Sequence, residues 1–252
     1  MTHLPILPVI LPGLAGIILL LLTYASVSLR RALNLIATAL MVVLGIVLVG
    51  VTVDNGYQVY ELGNWPSPFG IVLVLDRLSA FMVLLTALVA FCSLLFAVQG
   101  FDERGKNFHP LFQLQLMGLS IAFLTGDIFN LFVAFEVLLI ASYGLLLHGG
   151  GRQRVRAGLY YVIINLVGSS LFLLAVGLIY GVTGTLNMAD LAVRAGDVAP
   201  TDLPLLRTGA LLLFLVFAVK GALVPLYFWL PGAYSTAGAP VAALFAIRTK
   251  VG

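Results

Sequence analysis

Seven apolar runs, each near the length of a bilayer-crossing helix, constrain this chain more than any other feature. They lie at residues 4–27, 32–53, 78–98, 111–125, 128–147, 159–182 and 205–224. A hydrocarbon core about 30 Å thick takes about 20 helical residues to cross. The expected fold class is therefore an all-α membrane protein, a multi-pass transmembrane helical bundle. Composition agrees: 62% of residues are hydrophobic and 9% charged, against roughly a quarter charged in a soluble domain. That excludes a soluble domain, a disordered tail and a disulfide scaffold. Cys92 is alone in an apolar run, so it forms neither an internal disulfide nor a metal cluster.

The fourth and fifth runs are nearly continuous. Gly126 and Asp127 mark a tight turn between them, with Asp127 placed to cap the fifth helix. An eighth helix starts at Pro240 and has 13 residues before the sequence stops at Gly252. At 1.5 Å per residue it reaches about 20 Å, too short to cross. About eight helices are expected, the last truncated, and the chain reads as an N-terminal fragment. The start, MTHLPILP, lacks a basic region and no small-residue cleavage site follows, so the first helix is expected to be retained.

Loop charges set an expected orientation. The loops after helices one, three and five hold Arg30, Arg31, Arg104, Lys106, Arg152, Arg154 and Arg156. Those after helices two, four and six hold Arg77, Arg194 and Arg207. The bias puts the first set in the cytoplasm and the N-terminus outside. The 13 basic and 10 acidic residues form no Lys/Arg-rich run with interleaved aromatics, so no nucleic acid is expected as partner. In the outer loop 54–76, the β-branched run 69–75 (FGIVLVL) follows WPSP at 65–68, and a β-hairpin is expected there. The polar loop 183–204 is expected to pack over helix ends. The chain reads as a single membrane domain.

Glu136, Lys220 and Lys250 fall inside apolar segments. A charge near the bilayer centre costs about 2.5–3.5 kcal/mol on insertion scales, so three need a reason. One reading is a set of static ion pairs stapling helices together. The other is a proton or ion path along the midplane, where Asp, Glu, Lys and His trade protons. Helix seven supports the second. Pro225 follows Lys220 by five residues, cannot donate to the Gly221 carbonyl, and pushes Val224 out of α geometry. Gly221 weakens the helix further. A broken helix 7 is expected just after Lys220, and transporters place such breaks at binding sites. Residues 226–239, with Tyr227, Trp229, Pro231 and Tyr234, read as an interfacial connection with an aromatic belt.

Other motifs are weaker. His148-Gly149-Gly150-Gly151 lacks a companion G-x-S-x-G elbow and reads as a helix end and flexible turn. His3 and His109 lie at membrane edges, where a solvated or interfacial role is expected. Asn130, Asn165, Ser169 and Ser170 are expected to make interhelical hydrogen bonds. Phe129, Phe132 and Phe135 read as packing surface. No metal spacing, P-loop or dinucleotide fingerprint occurs, so no cofactor is expected.

Four segments carry a family resemblance. They are GDIFNLFV at 126–133 with FEVLL at 135–139, YGVTGTLNMADL at 180–191, Lys220 with PLYFWLP at 225–231, and TKVG at 249–252. Together they resemble the D subunits of Mrp-type multisubunit cation/proton antiporters; the Glu136 and Lys220 motifs are shared with the antiporter-like subunits of respiratory complex I. The resemblance covers the whole chain. It implies a fold of about fourteen helices with two inverted five-helix repeats, each with a broken helix. Residues 1–108 would then be three leading helices. Residues 109–252 would be the first repeat, helices four to eight, incomplete. It implies that Glu136 modulates the charge of Lys220, that Lys220 takes up and releases the proton, and that Lys250 passes it along the midplane. It implies a secondary transporter subunit, not an enzyme, in a prokaryotic plasma membrane. Its partners would be the lipid bilayer and other membrane subunits, and its substrates protons and Na+ or another monovalent cation. The alternative is a proton-translocating subunit of a respiratory NADH:quinone oxidoreductase or membrane hydrogenase-type complex, without its own cofactor. A third reading is a structural half-subunit that keeps Glu136 and Lys220 as a helix staple.

Overall fold

The structure, a computed structural model, describes residues 3–251; Met1, Thr2 and the Gly252 that closes the TKVG run lie outside them. Among the described residues the order is α1 (Leu7–Leu21), α2 (Val27–Asn55), β1 (Gln58–Glu61), β2 (Val72–Leu75), α3 (Arg77–Ala97), α4 (Phe108–Leu124) and α5 (Ile128–Leu146). Then come α6 (Arg152–Thr183), α7 (Met188–Arg194), α8 (Leu203–Lys220), α9 (Leu230–Thr236) and α10 (Ala239–Val251). The segment Leu4–Leu21 and helices α2, α3, α5, α6 and α8 are long and apolar enough to cross a membrane. α4 is a shorter apolar helix of 17 residues. The chain is an all-α, multi-pass membrane protein.

The apolar runs found their helices, with instructive differences. α2 and α6 begin before their apolar runs and carry Arg30, Arg31, Arg152, Arg154 and Arg156 inside them. Arginine is a good helix former, so these charges mark where a helix leaves the apolar zone, not where it ends. α8 stops at Lys220, four residues short of the run. Two seven-residue helices, α7 and α9, were not expected.

Packing follows small residues and chain order. α1 lies on α2 and α4, α2 on α3, α4 on α5, and α6 on α5, α8 and α9, while α10 returns to α3, α4 and α5. A Cβ on Gly45 of α2 would sit 2.8 Å from the Leu84 Cα of α3. Glycine there sets the α2–α3 spacing, since van der Waals approach drives helix association in lipid. The main core joins Phe108, Phe112 and Leu116 of α4 to Phe135, Tyr161, Phe172 and Phe245. Large apolar side chains such as Leu14, Ile36, Leu159 and Leu211 are exposed around the bundle, as lipid-facing surface requires.

One end of the bundle is backbone-knit. β1 pairs antiparallel with β2, Gln58 opposite Leu75 and Glu61 opposite Val72, so the expected hairpin exists, its second strand shorter than 69–75. The α4–α5 turn is held on both sides. Gly126 N–H donates to the Val72 carbonyl at 2.8 Å, and Gly126 C=O accepts from Met188 N–H at 2.9 Å. A Cβ at 126 would meet Val74 Cγ2 at 2.8 Å. Asp127 caps α5, accepting from Asn130 N–H at 2.8 Å.

The opposite end is charge-knit. Arg31 grips Asp102 through Nε and Nη2, both at 2.7 Å, and reaches Glu103 at 2.7 Å. Burial pushes the Asp102 carboxyl up, and the Arg31 guanidinium together with His109 more than reverses this, holding it below the usual carboxylate range. His109 is 2% exposed. Its Nε2 is 3.1 Å from Asp102 Oδ2 and its Nδ1 2.8 Å from Asn34 Nδ2. The solvated role expected of His109 is thus corrected: the first turn of α4 buries it behind Asp102. His148 is buried too, its ring 2.9 Å from the Phe101 carbonyl, while its backbone lies in the turn that ends α5, as the reading of 148–151 as a helix end and turn expects. His3 is exposed near the hairpin, 2.9 Å from the Tyr60 hydroxyl.

Candidate functional site

The site grows from the end of α8. Gly221 is the C-cap, and Pro225 lies in the non-helical stretch 221–229. Proline cannot supply the N–H that the Gly221 carbonyl would need in a continued helix, and the carbonyls of the last turn are closed by the residues just after it. Gly221 N–H donates to the Phe217 carbonyl at 2.7 Å, and Leu223 N–H to the Ala218 carbonyl at 2.9 Å. The Val219 carbonyl accepts from Ala222 N–H at 3.2 Å and from the Trp229 indole at 2.9 Å. Ala222 takes φ +54°, a left-handed turn costing roughly 1–2 kcal/mol for a residue with a Cβ.

Trp229 overturns one expectation. It is 2% exposed, so residues 226–239 are not wholly an interfacial aromatic connection. They turn back into the protein, form α9, and lead into α10. Tyr227 and Phe228 alone of that stretch's aromatics are exposed.

Lys220, the last residue of α8, is 3% exposed, and its Nζ has no hydrogen-bond partner among the described residues. It sits 4.6 Å from the centroid of the Phe135 ring, which packs with Phe172 and Phe217. The expectation of packing surface holds for Phe132 and Phe135; Phe129 is 45% exposed. Glu136 follows Phe135 on α5. Its Oε1 is buried without a partner, and no ion pair within 4.0 Å joins it to a cation among the described residues. Glu136 and Lys220 thus share the bundle interior without a static bridge. Lys250 stands apart. It is exposed on α10 and lines a cleft of about 930 Å³ with Asp76, Asp190 and Arg194 at the hairpin end.

Arg248, two residues before Lys250, escaped the sequence reading. It is 4% exposed. Its Nη1 donates to Ser142 Oγ at 3.3 Å and its Nη2 to Asn165 Oδ1 at 3.2 Å. The guanidinium carbon lies 4.9 Å from the Tyr161 ring centroid, 5.8 Å from Phe245 and 5.9 Å from Trp229. The signal that could have found it is a second charge beside Lys250 in a 13-residue apolar helix. Asn165 thus bonds between helices; Ser170 bonds only its own helix at Leu166, Asn130 bonds locally to Thr125, and Ser169 Oγ is unpartnered among the described residues.

Residues 125–252, just over half the chain, match the family described as NADH:quinone oxidoreductase/Mrp antiporter, TM. The chain is 48% identical over 255 residues to the D subunit of a probable K(+)/H(+) antiporter of Rhizobium meliloti, spanning 99% of this chain and 47% of that protein. It is 47% identical to the D subunit of the Na(+)/H(+) antiporter of Alkalihalophilus pseudofirmus, spanning 100% of this chain and 51% of that one. It superposes on a chain of the Mrp complex of a Dietzia species with TM-score 0.89 at 31% identity, over 100% of this chain and 47% of that one. The chain spans about half the length of the curated relatives it matches. It belongs to the membrane-subunit family shared by Mrp antiporters and NADH:quinone oxidoreductases.

Proposed function

We propose that this chain supplies part of a membrane subunit of a multisubunit cation/proton antiporter, exchanging Na+ or another monovalent cation for protons. The observation that carries this is Lys220: a buried amine without a hydrogen-bond partner among the described residues, at the end of a helix, with the Glu136 carboxylate on α5. Lysine can shed a proton, and a group not locked in a salt bridge is free to exchange it. In this reading Lys220 takes up and releases the proton, Glu136 modulates its charge, and Lys250 passes the proton along the midplane; the cleft that Lys250 lines with Asp76, Asp190 and Arg194 supports a polar surrounding for it. In the same reading residues 1–108 hold three leading helices and residues 109–252 belong to the first repeat.

Other subunits of the complex and the bilayer are its partners, and the prokaryotic plasma membrane its location. Arg30, Arg31, Arg104, Lys106 and Arg154 gather at one end, which supports a cytoplasmic placement of that end and an external N-terminus. The subunit is a transporter part, not an enzyme in its own right. The names of the relatives favour antiport over a redox-driven pump, and dependence of proton movement on Na+ or K+ separates the two.

The test is cation-driven proton movement in everted vesicles carrying the complex that contains this chain. Glu136→Ala and Lys220→Ala are each expected to cut the rate at least about tenfold with the complex assembled. Full activity in both variants overturns the assignment.

A further inference from the structure

Arg248 has no part in the roles assigned to Glu136, Lys220 and Lys250, yet it is one of the most deeply held charges in the bundle. A guanidinium is planar, permanently charged and rigid, which suits stacking on aromatic faces and fixed hydrogen bonds and unsuits it to carrying a proton. Its contacts join three helices and the break. Ser142 lies on α5, Asn165 and Tyr161 on α6, and Trp229 in the stretch that follows α8. Tyr161 is itself held: its hydroxyl is 2.9 Å from Ser142 Oγ, and its ring lies 5.6 Å from Trp229 and 6.0 Å from Phe245. The Trp229 ring therefore sits against both Tyr161 and the guanidinium. Its indole N–H donates to the carbonyl of Val219, the residue before Lys220.

We propose that Arg248 is a positioning residue for ion translocation: by fixing Trp229, it holds the last turn of α8 and with it the placement of Lys220 beside Phe135. The chain of contact is Arg248 to Trp229 to Val219 to Lys220, and it ties α10 to the end of α8. The guanidinium supplies the anchor and Lys220 the exchangeable proton. This rests on the proposed function, since it names what places Lys220 for that reaction.

The test uses the assembled complex in everted vesicles, with assembly checked by native electrophoresis and with both the maximal rate and the apparent KM for the cation measured. Arg248→Met and Trp229→Phe are each expected to lower the maximal rate by about tenfold and leave the apparent KM within about twofold. The double variant should fall no further than the worse single one, because both substitutions cut one chain of contact. Arg248→Lys, which restores a cation over the rings, should recover at least about a third of the rate. If Arg248→Met does not assemble, Arg248→Gln is read by the same criteria, and Trp229→Phe stands independently. A maximal rate within about twofold of the parent in Arg248→Met, effects that multiply in the double variant, a change confined to KM, or no recovery in Arg248→Lys overturns the inference. Activity surviving Lys220→Ala overturns the proposed function itself; activity lost there but kept in Arg248→Met overturns this inference alone.

Discussion

Lys220 and Arg248 are both buried cations in the same bundle, and their surroundings differ in kind. Lys220 has an aromatic ring on one side and no hydrogen-bond acceptor among the described residues. Arg248 has two acceptors and three aromatic faces. A buried polar group with no partner carries its desolvation cost uncompensated, whereas a buried group with partners recovers much of it. The difference teaches that burial alone does not mark a functional charge. In the proposed function the cation that is held serves structure, and the cation without a hydrogen-bond partner among the described residues is the one kept for exchange. Asp102 extends the comparison to an anion, since Arg31 and His109 hold it on two sides.

The largest expected effect separates the two cations by rate. Lys220→Met should cut cation-driven proton movement to below about a tenth of the parent. The thermal midpoint of the detergent-solubilised complex should stay unchanged or rise slightly, because no hydrogen bond is lost. A large fall in that midpoint would break the comparison. Asp102→Asn should destabilise by about 2 kcal/mol, since it strips the bidentate charge from Arg31, measured by thermal melting at pH 7. The sign of the pH dependence follows from the lowered Asp102 carboxyl. Its stability contribution is present above about pH 4, the ordinary carboxylate value, and is lost as pH falls through the folded value; the Asn variant should lack that acid loss. Arg248→Met should lower stability by about 1–2 kcal/mol, leaving Ser142 and Asn165 short of a donor and the rings without their cation.

The smallest effect belongs to His148: burial holds its ring below the ordinary imidazole value. The unfolded chain binds that proton first, so stability should decline slightly as pH falls below about 6.5. His148→Gln should flatten the slope in the same melting series.

The local signals were legible. Apolar length placed the helices, the aspartate after Gly126 placed the start of α5, and β-branched residues before Asp76 placed the hairpin. Gly221 and Pro225 lie where α8 has ended, and Glu136 and Lys220 stood out because a charge inside an apolar run needs no partner to be noticed. What was not legible depends on helix rotation and on distant pairing. Asp102 looks like one charge among several in a loop, and only Arg31, 71 residues away, reveals it as buried. His109 reads as an edge residue until α2 brings Asn34 to it. Trp229 reads as interfacial because aromatics favour that zone, yet its indole turns inward and gives the Val219 carbonyl at the end of α8 a second donor beside Ala222 N–H. Arg248 was masked by its neighbours in the run from Ile247 to Lys250, and nothing in one stretch of sequence says which of Arg248 and Lys250 faces the bundle.

The most direct measurement is cation-driven proton movement by the assembled complex carrying Lys220→Arg. The substitution keeps a positive charge at the end of α8 but removes the ability to release a proton. Proton movement is expected to fall to background while the complex assembles as the parent does. Transport at the parental rate in that variant would show that Lys220 acts as a fixed charge, as Arg248 does, and would contradict the distinction drawn between them.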